Sequence, residues 1–128
     1  MIDHIGLAVK DMSRARAFYV AALKPLGVSV IMEVTAEQTG ADDHAGFGKD
    51  NKAFFWIGTG AKPKGGTHVA FTARTRAEVD SFHRAALSAG GRDNGAPGPR
   101  PHYHKHYYGA FVFDPDGNNI EAVCHRPD

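Results

Sequence analysis

The sequence predicts an α+β domain made of two paired copies of one unit: a strand, a helix and then three strands (βαβββ). Three observations predict it. The opening stretch His4-Ile5-Gly6-Leu7-Ala8-Val9, a histidine leading a short alternating strand, returns as His68-Val69-Ala70-Phe71-Thr72-Ala73. Each copy runs on into a helical pattern that stops at glycine. The copies also keep step, because His4 and His68, Phe18 and Phe82, Ala22 and Ala86, Leu23 and Leu87, and Gly27 and Gly91 each stand 64 residues apart. Any two amphipathic βα units look alike, but a histidine, a stripe and a stop matching at one offset point to duplication. Two copies are too few for a solenoid. A single domain over residues 1–128 is therefore expected, with one module at 1–59, a linker at 60–66 and a second module at 67–126.

In the first module, residues 4–9 alternate, with Ile5, Leu7 and Val9 on a helix-facing side and His4, Gly6 and Ala8 on an open one. The second set is small apart from His4, so that face can line a cavity. A helix is expected over 12–24, capped by Asp11 or Ser13, striped by Ala15, Phe18, Ala22 and Leu23, and stopped by Pro25 and Gly27. Residues 28–34 read as a second strand. The polar stretch 35–46 is expected as a loop over the cavity or a dimer contact, and Gly46-Phe47-Gly48 as a short third strand. Asp50-Asn51 suits a hairpin turn before the β-prone strand 53–57. Residues 59–66, with Gly60, Pro63, Gly65 and Gly66, link the halves.

The second module repeats the scheme. Val69, Phe71 and Ala73 face the helix, while His68, Ala70 and Thr72 face the open side. Thr75-Arg76-Ala77-Glu78 reads as a capping box. The helix that follows is striped by Val79, Phe82, Ala86 and Leu87 and ends at Gly90-Gly91. A proline- and glycine-rich loop is expected over 94–101 and a strand over 107–113. Asp114-Pro115-Asp116-Gly117 has the residues of a type I turn, leading to a last strand at 119–124.

The chain's 128 residues suffice for one core. Lys and Arg number 15 against 14 Asp and Glu, so a formal charge of +1 gives no electrostatic footing for nucleic acid or a membrane surface. No apolar run approaches the roughly 18 residues of a membrane span, and the start has no signal-peptide pattern. The one cysteine, Cys124, can form no intrachain disulfide, which suits a reducing, cytoplasmic setting.

Histidine is abundant, with eight in all, and His102, His104 and His106 alternate within 101–108. Just ahead of the strand at 107–113, His102, Tyr103, His104 and Tyr107 are placed for a general base or a substrate contact. They suit a surface loop or an interface equally. Glu121 sits between Ile120 and Ala122, which belong on the helix-facing side, so alternation puts its carboxylate on the open face with His4 and His68. A carboxylate there needs a partner or shifts its pKa. Taken singly, each residue has an ordinary explanation. His4 can bond a neighbour, His68 can be a satisfied interior histidine, and Glu121 can pair with Arg92, Arg100 or Arg126. The repeat joins the two histidines, and strand phase joins Glu121 to them. Together they compose a candidate metal site with open positions, suited to Fe, Mn, Ni or Zn. Phe54, Trp56, Phe111 and Phe113 are candidate walls of the substrate pocket.

The stretches Asp3-His4-Ile5-Gly6-Leu7-Ala8-Val9, Ala17-Phe18-Tyr19, His68-Val69-Ala70-Phe71 and Phe113-Asp114-Pro115-Asp116-Gly117-Asn118-Asn119-Ile120-Glu121 resemble the vicinal oxygen chelate superfamily. That superfamily includes glyoxalase I, bleomycin-resistance and fosfomycin-resistance proteins, and extradiol dioxygenases. The resemblance covers nearly the whole chain, and the last stretch is its most specific part. It implies an incomplete eight-stranded barrel cupping the site, and a homodimer whose modules pair within or between chains. It places metal ligands on His4, His68 and Glu121. A fourth ligand, a carboxylate in glyoxalase I, falls on Trp56, which lies 65 residues before Glu121 and so assumes a one-residue indel. Tryptophan cannot ligate a metal, so the pattern is more similar to the three-ligand dioxygenase and fosfomycin-resistance branches. The implied function is a divalent-metal-dependent lyase, dioxygenase or transferase that chelates neighbouring oxygens of a small substrate. The competing expectation is a metal-free binding protein of the bleomycin-resistance kind.

Overall fold

Alternating strands and two amphipathic helices divide the chain into layers. The computed structural model describes residues 1–127, the side chain of Thr39 excepted; Asp128, the last residue of the expected domain, lies outside the described residues. Strands β1 (Ile5–Ala8), β2 (Ser29–Val34), β3 (His44–Lys49) and β4 (Lys52–Gly58) form one mixed sheet in the order β1-β4-β3-β2. Strands β5 (His68–Thr72), β6 (Arg92–Pro99), β7 (Tyr108–Phe113) and β8 (Asn119–Cys124) form a second in the order β5-β8-β7-β6. In each sheet the first strand runs parallel to the last, and the remaining pairs are antiparallel. The fold is thus α+β with two βαβββ modules. The eight strands fall into two four-stranded sheets that are not closed into a barrel.

The helices α1 (Met12–Leu23) and α3 (Arg76–Ser88) pack on each other and on their own sheets, so both modules share one apolar core. The expected stripe of α1 is buried throughout, and Tyr19 joins it. On α3, Val79, Phe82 and Ala86 are buried, but Leu87 is 37 % exposed. Leu23 is followed by a 3₁₀ turn, Lys24–Leu26, that buries Leu26, whereas Leu87 is followed by Ser88, where its helix ends with no such turn. Tyr19 and His83 are the equivalent pair 64 residues apart, and both turn inward with a polar tip bonded to an acid, Asp114 and Asp93 respectively.

Asp11 caps α1 by accepting from the Arg14 N–H at 3.1 Å. The expected box at α3 is only half formed. Thr75 Oγ1 accepts from the Glu78 N–H, but the Glu78 carboxylate reaches past Thr75 to the Arg74 N–H at 3.0 Å. A complete box occurs instead at Thr35 and Gln38, where a short helix α2 (Ala36–Thr39) replaces part of the expected loop. The segment expected as a loop over 94–101 is mostly strand β6. Its glycines and prolines hide it, and its register with β7 breaks between Asp93 and Gly95 and again between Gly95 and Gly98. Asp50 and Asn51 make the β3–β4 turn with φ of 51° and 61°, the left-handed pair that tight hairpins require.

The Asp114–Gly117 turn joins the modules. Gly117 N–H donates to Asp114 O at 3.1 Å, closing the turn. Asp114 Oδ1 accepts from the Asp116 and Asn118 N–H groups, and its Oδ2 accepts from the Tyr19 hydroxyl of α1. Asp116 in turn accepts from the Lys10 N–H at 3.1 Å. No helix among the described residues is long and apolar enough to cross a membrane.

Candidate functional site

Strand register carries the repeat into the site. Gly6 stands opposite Trp56 across β1–β4, and Ala70 opposite Glu121 across β5–β8. Val9 N–H donates to Gly58 O, and Ala73 N–H to Val123 O, in the same relation. The offset is therefore 64 on the leading strands and 65 on the last ones, and Trp56 occupies the place that Glu121 holds in the other sheet. The open face of the first sheet has a glycine floor. A Cβ on Gly46 would stand 2.8 Å from the Trp56 ring, and one on Gly58 would stand 2.4 Å from the His44 ring.

The open face of the second sheet is polar. Across β5, β8 and β7 it reads His68–Asn119–Phe113 in one row and Ala70–Glu121–Phe111 in the next. Glu121 is 1 % exposed. The Tyr107 hydroxyl donates to its Oε2, and His68 Nε2 lies 3.1 Å from its Oε1. Burial, followed by the bond to Glu121 and its charge, holds the Tyr107 hydroxyl well above the usual tyrosine range, so it remains a donor. His68 Nδ1 lies 3.0 Å from Asn119 O, which can only accept, so Nδ1 carries a proton. Its Nε2 then lies against the carboxyl group, so the ring bridges the Asn119 carbonyl and Glu121.

The remaining expected residues lie elsewhere. His4 is exposed on the first sheet's side, with Nδ1 2.7 Å from Asp3 Oδ1. Lys52 Nζ also donates to that oxygen, and Lys52 first, then His4, hold Asp3 below the usual carboxylate range. Among the described residues no three His, Cys, Asp or Glu side chains converge as a metal cage. His68 and Glu121 fit two arms of a metal site; His4, the third expected arm, is paired with Asp3 and forms no three-ligand group with them among the described residues. Of the 102–107 run, Tyr107 reaches the site. The Tyr103 ring meets Tyr107 edge-on at 5.1 Å, and His102 lies 4.2 Å from Tyr103. His104 lies 5.7 Å from His125, whose ring is edge-on to Tyr107 at 5.3 Å. Phe111 and Phe113 belong to the same face as Glu121, and Trp56 to the other sheet. Phe54 packs against the core and lines a cavity of 530 Å³ that it shares with Ile5, Val69, Phe71 and His68.

Sequence reasoning missed His125, although it follows Glu121 in phase by four residues. Arg92 and Arg100, offered by the sequence only as partners for Glu121, do not bond it. Each lies over a phenyl ring instead. All but the first two residues of the strand that aims Arg92 fall in the segment expected as a loop, so no alternation pointed to it.

A search of curated proteins finds no match. Among solved structures, the chain is similar to a glyoxalase/bleomycin resistance protein from Albidiferax ferrireducens T118, with 27% identity, a TM-score of 0.79 and coverage of 98% of this chain and 99% of that one. It shares its fold with a hypothetical protein of S. aureus at 19% identity and TM-score 0.67, covering 94% of each chain. It also shares its fold with glyoxalase I from Zea mays at 23% identity and TM-score 0.71, covering 99% of this chain and 45% of the maize protein. Residues 1–122 match the profile of the Glyoxalase/Bleomycin resistance protein/Dioxygenase superfamily, and the chain belongs to that superfamily.

Proposed function

We propose that this chain binds a small molecule on the open face of its second sheet without a metal, in the manner of the bleomycin-resistance branch. One observation carries the reading: within a single chain both oxygens of the buried Glu121 are already engaged, by His68 and by Tyr107. A carboxylate so satisfied needs no cation to remain buried. His68, Glu121 and Tyr107 then form the polar end of a site whose floor is Phe111 and Phe113, the mixture of apolar wall and few fixed polar groups that small-molecule sites use. The test is a thermal-shift screen of chelator-treated protein against small aromatic acids, phenols, diols and neutral amides. Some compounds are expected to raise the unfolding temperature, and Glu121→Gln is expected to abolish the effect. A screen in which nothing stabilises the chelator-treated protein overturns the proposal.

A second reading is a homodimeric metal-dependent enzyme, and one observation favours it. Both histidines have Nδ1 tied, His4 to Asp3 and His68 to Asn119 O, which is how metal-ligating imidazoles are oriented. In that reading His68 and Glu121 of one copy and His4 of another hold a divalent ion, which would supply Lewis-acid polarisation of substrate oxygens. Elemental analysis of untagged protein tests it. Stoichiometric metal lost in each of His4→Ala, His68→Ala and Glu121→Gln supports it, and metal content unchanged in all three contradicts it.

A further inference from the structure

The open face of the second sheet carries positive charge that its carboxylate does not balance. Arg92 stands opposite Phe113 across β6–β7, its guanidinium carbon 5.1 Å from the ring centroid. The Arg100 guanidinium carbon lies 5.5 Å from the Phe111 centroid. These are the two rings that flank Asn119 and Glu121 on β8, so both cations border the floor of the site. Arg100 is held in place. Its Nη1 donates to Gly98 O at 2.8 Å and its Nη2 to Ala96 O at 2.9 Å, while its Nε–H has no partner among the described residues. The local acids are engaged elsewhere. Glu121 is held by His68 and Tyr107. Asp93 of β6 lies opposite the core residue Val112, with its carboxylate on His83 and the Gly95 N–H. No carboxylate among the described residues pairs with Arg92 or Arg100.

We infer that the ligand of this face is a small planar carboxylate, its flat body on Phe111 and Phe113 and its charge between Arg92 and Arg100. A guanidinium reads a carboxylate through parallel N–H donors. An arginine already settled on an aromatic ring loses little freedom in doing so. The Phe111 ring, with the His68 ring inclined to it by 28° at 6.3 Å, offers an aromatic surface that suits a planar body. This rests on the ligand-binding reading above and narrows its ligand class.

The test is a titration of the whole chain with benzoate and with benzamide, two probes of one shape that differ in charge, followed by calorimetry and by backbone NMR shifts. Benzoate is expected to bind at least about tenfold more tightly than benzamide, with affinity falling as salt rises. Arg92→Met and Arg100→Lys are each expected to weaken benzoate binding several-fold and to leave benzamide unchanged. Arg100→Lys keeps the charge but loses the fork, so it separates recognition from mere attraction. Unchanged NMR dispersion in both variants shows that the fold is intact. Equal affinity for the two probes, or benzoate binding unmoved in both variants, overturns the inference while leaving the ligand-binding reading standing. If neither probe shifts the resonances of β7 and β8, the carboxylate assignment fails, and the wider screen decides the ligand-binding reading on its own.

Discussion

Glu121 sits at 1 % exposure with one oxygen on a tyrosine and the other on a histidine, so removing either partner leaves a buried acceptor unsatisfied. Tyr107→Phe is expected to cost about 1–3 kcal/mol in urea unfolding at neutral pH. The pH dependence has a definite sign. Folding raises the Tyr107 pKa above its ordinary value of 10.0, so the folded chain holds that proton more tightly than the unfolded one. The contribution is complete below pH 10.0 and is lost as pH rises toward the folded value. The alkaline decline in stability should therefore be shallower in Tyr107→Phe than in the parent; equal slopes in the two proteins contradict the bond. Strand phase alone placed Glu121 and His68 on an open face, because alternation depends only on local backbone geometry. The bond from Tyr107 was not legible in the same way, since it depends on how a loop enters β7, and no periodicity records that.

At the level of elements, the duplication was readable because histidine, stripe and stop recur at one offset, which the observed register keeps on the leading strands and lengthens by one residue on the last ones. The match fails at Leu87, where the helix end is uncovered. Leu23→Ala, at 0 % exposure, is expected to cost about 2–5 kcal/mol, and Leu87→Ala, at 37 % exposure, less than about 1 kcal/mol, both by denaturant unfolding. Similar losses would show that the two positions are packed alike. Strand β6 escaped sequence reasoning because glycine and proline ordinarily mark loops. Here Arg100 donates to the Ala96 and Gly98 carbonyls where the ladder is broken. Asp93 adds a second tie, its pKa lowered first by the Gly95 N–H and then by His83. A depressed carboxylate contributes stability above its ordinary value of 3.8 that is lost as pH falls through the folded value. Asp93→Asn should therefore flatten the acid limb of the stability profile below about pH 4, as followed by circular dichroism. An unchanged acid limb would mean that the tie contributes nothing.

Over the whole molecule, the two open faces differ in character. The first offers Trp56 and His44 on glycine; the second offers His68, Glu121, Tyr107 and two arginines on phenylalanine. Strand phase tells which side of a sheet a residue occupies. It does not tell which residues of facing strands close on one point: Asp3 and Ile5 line the same cavity as His68, yet among the described residues His4, His68 and Glu121 form no three-ligand group. The most direct measurement takes the tightest-binding compound from the screen and compares its affinity for chelator-treated protein before and after one equivalent of zinc or manganese is restored. Metal-free binding predicts the same affinity in both states and its loss in Glu121→Gln. Binding that appears only when metal is restored, and that disappears in His4→Ala, would contradict it.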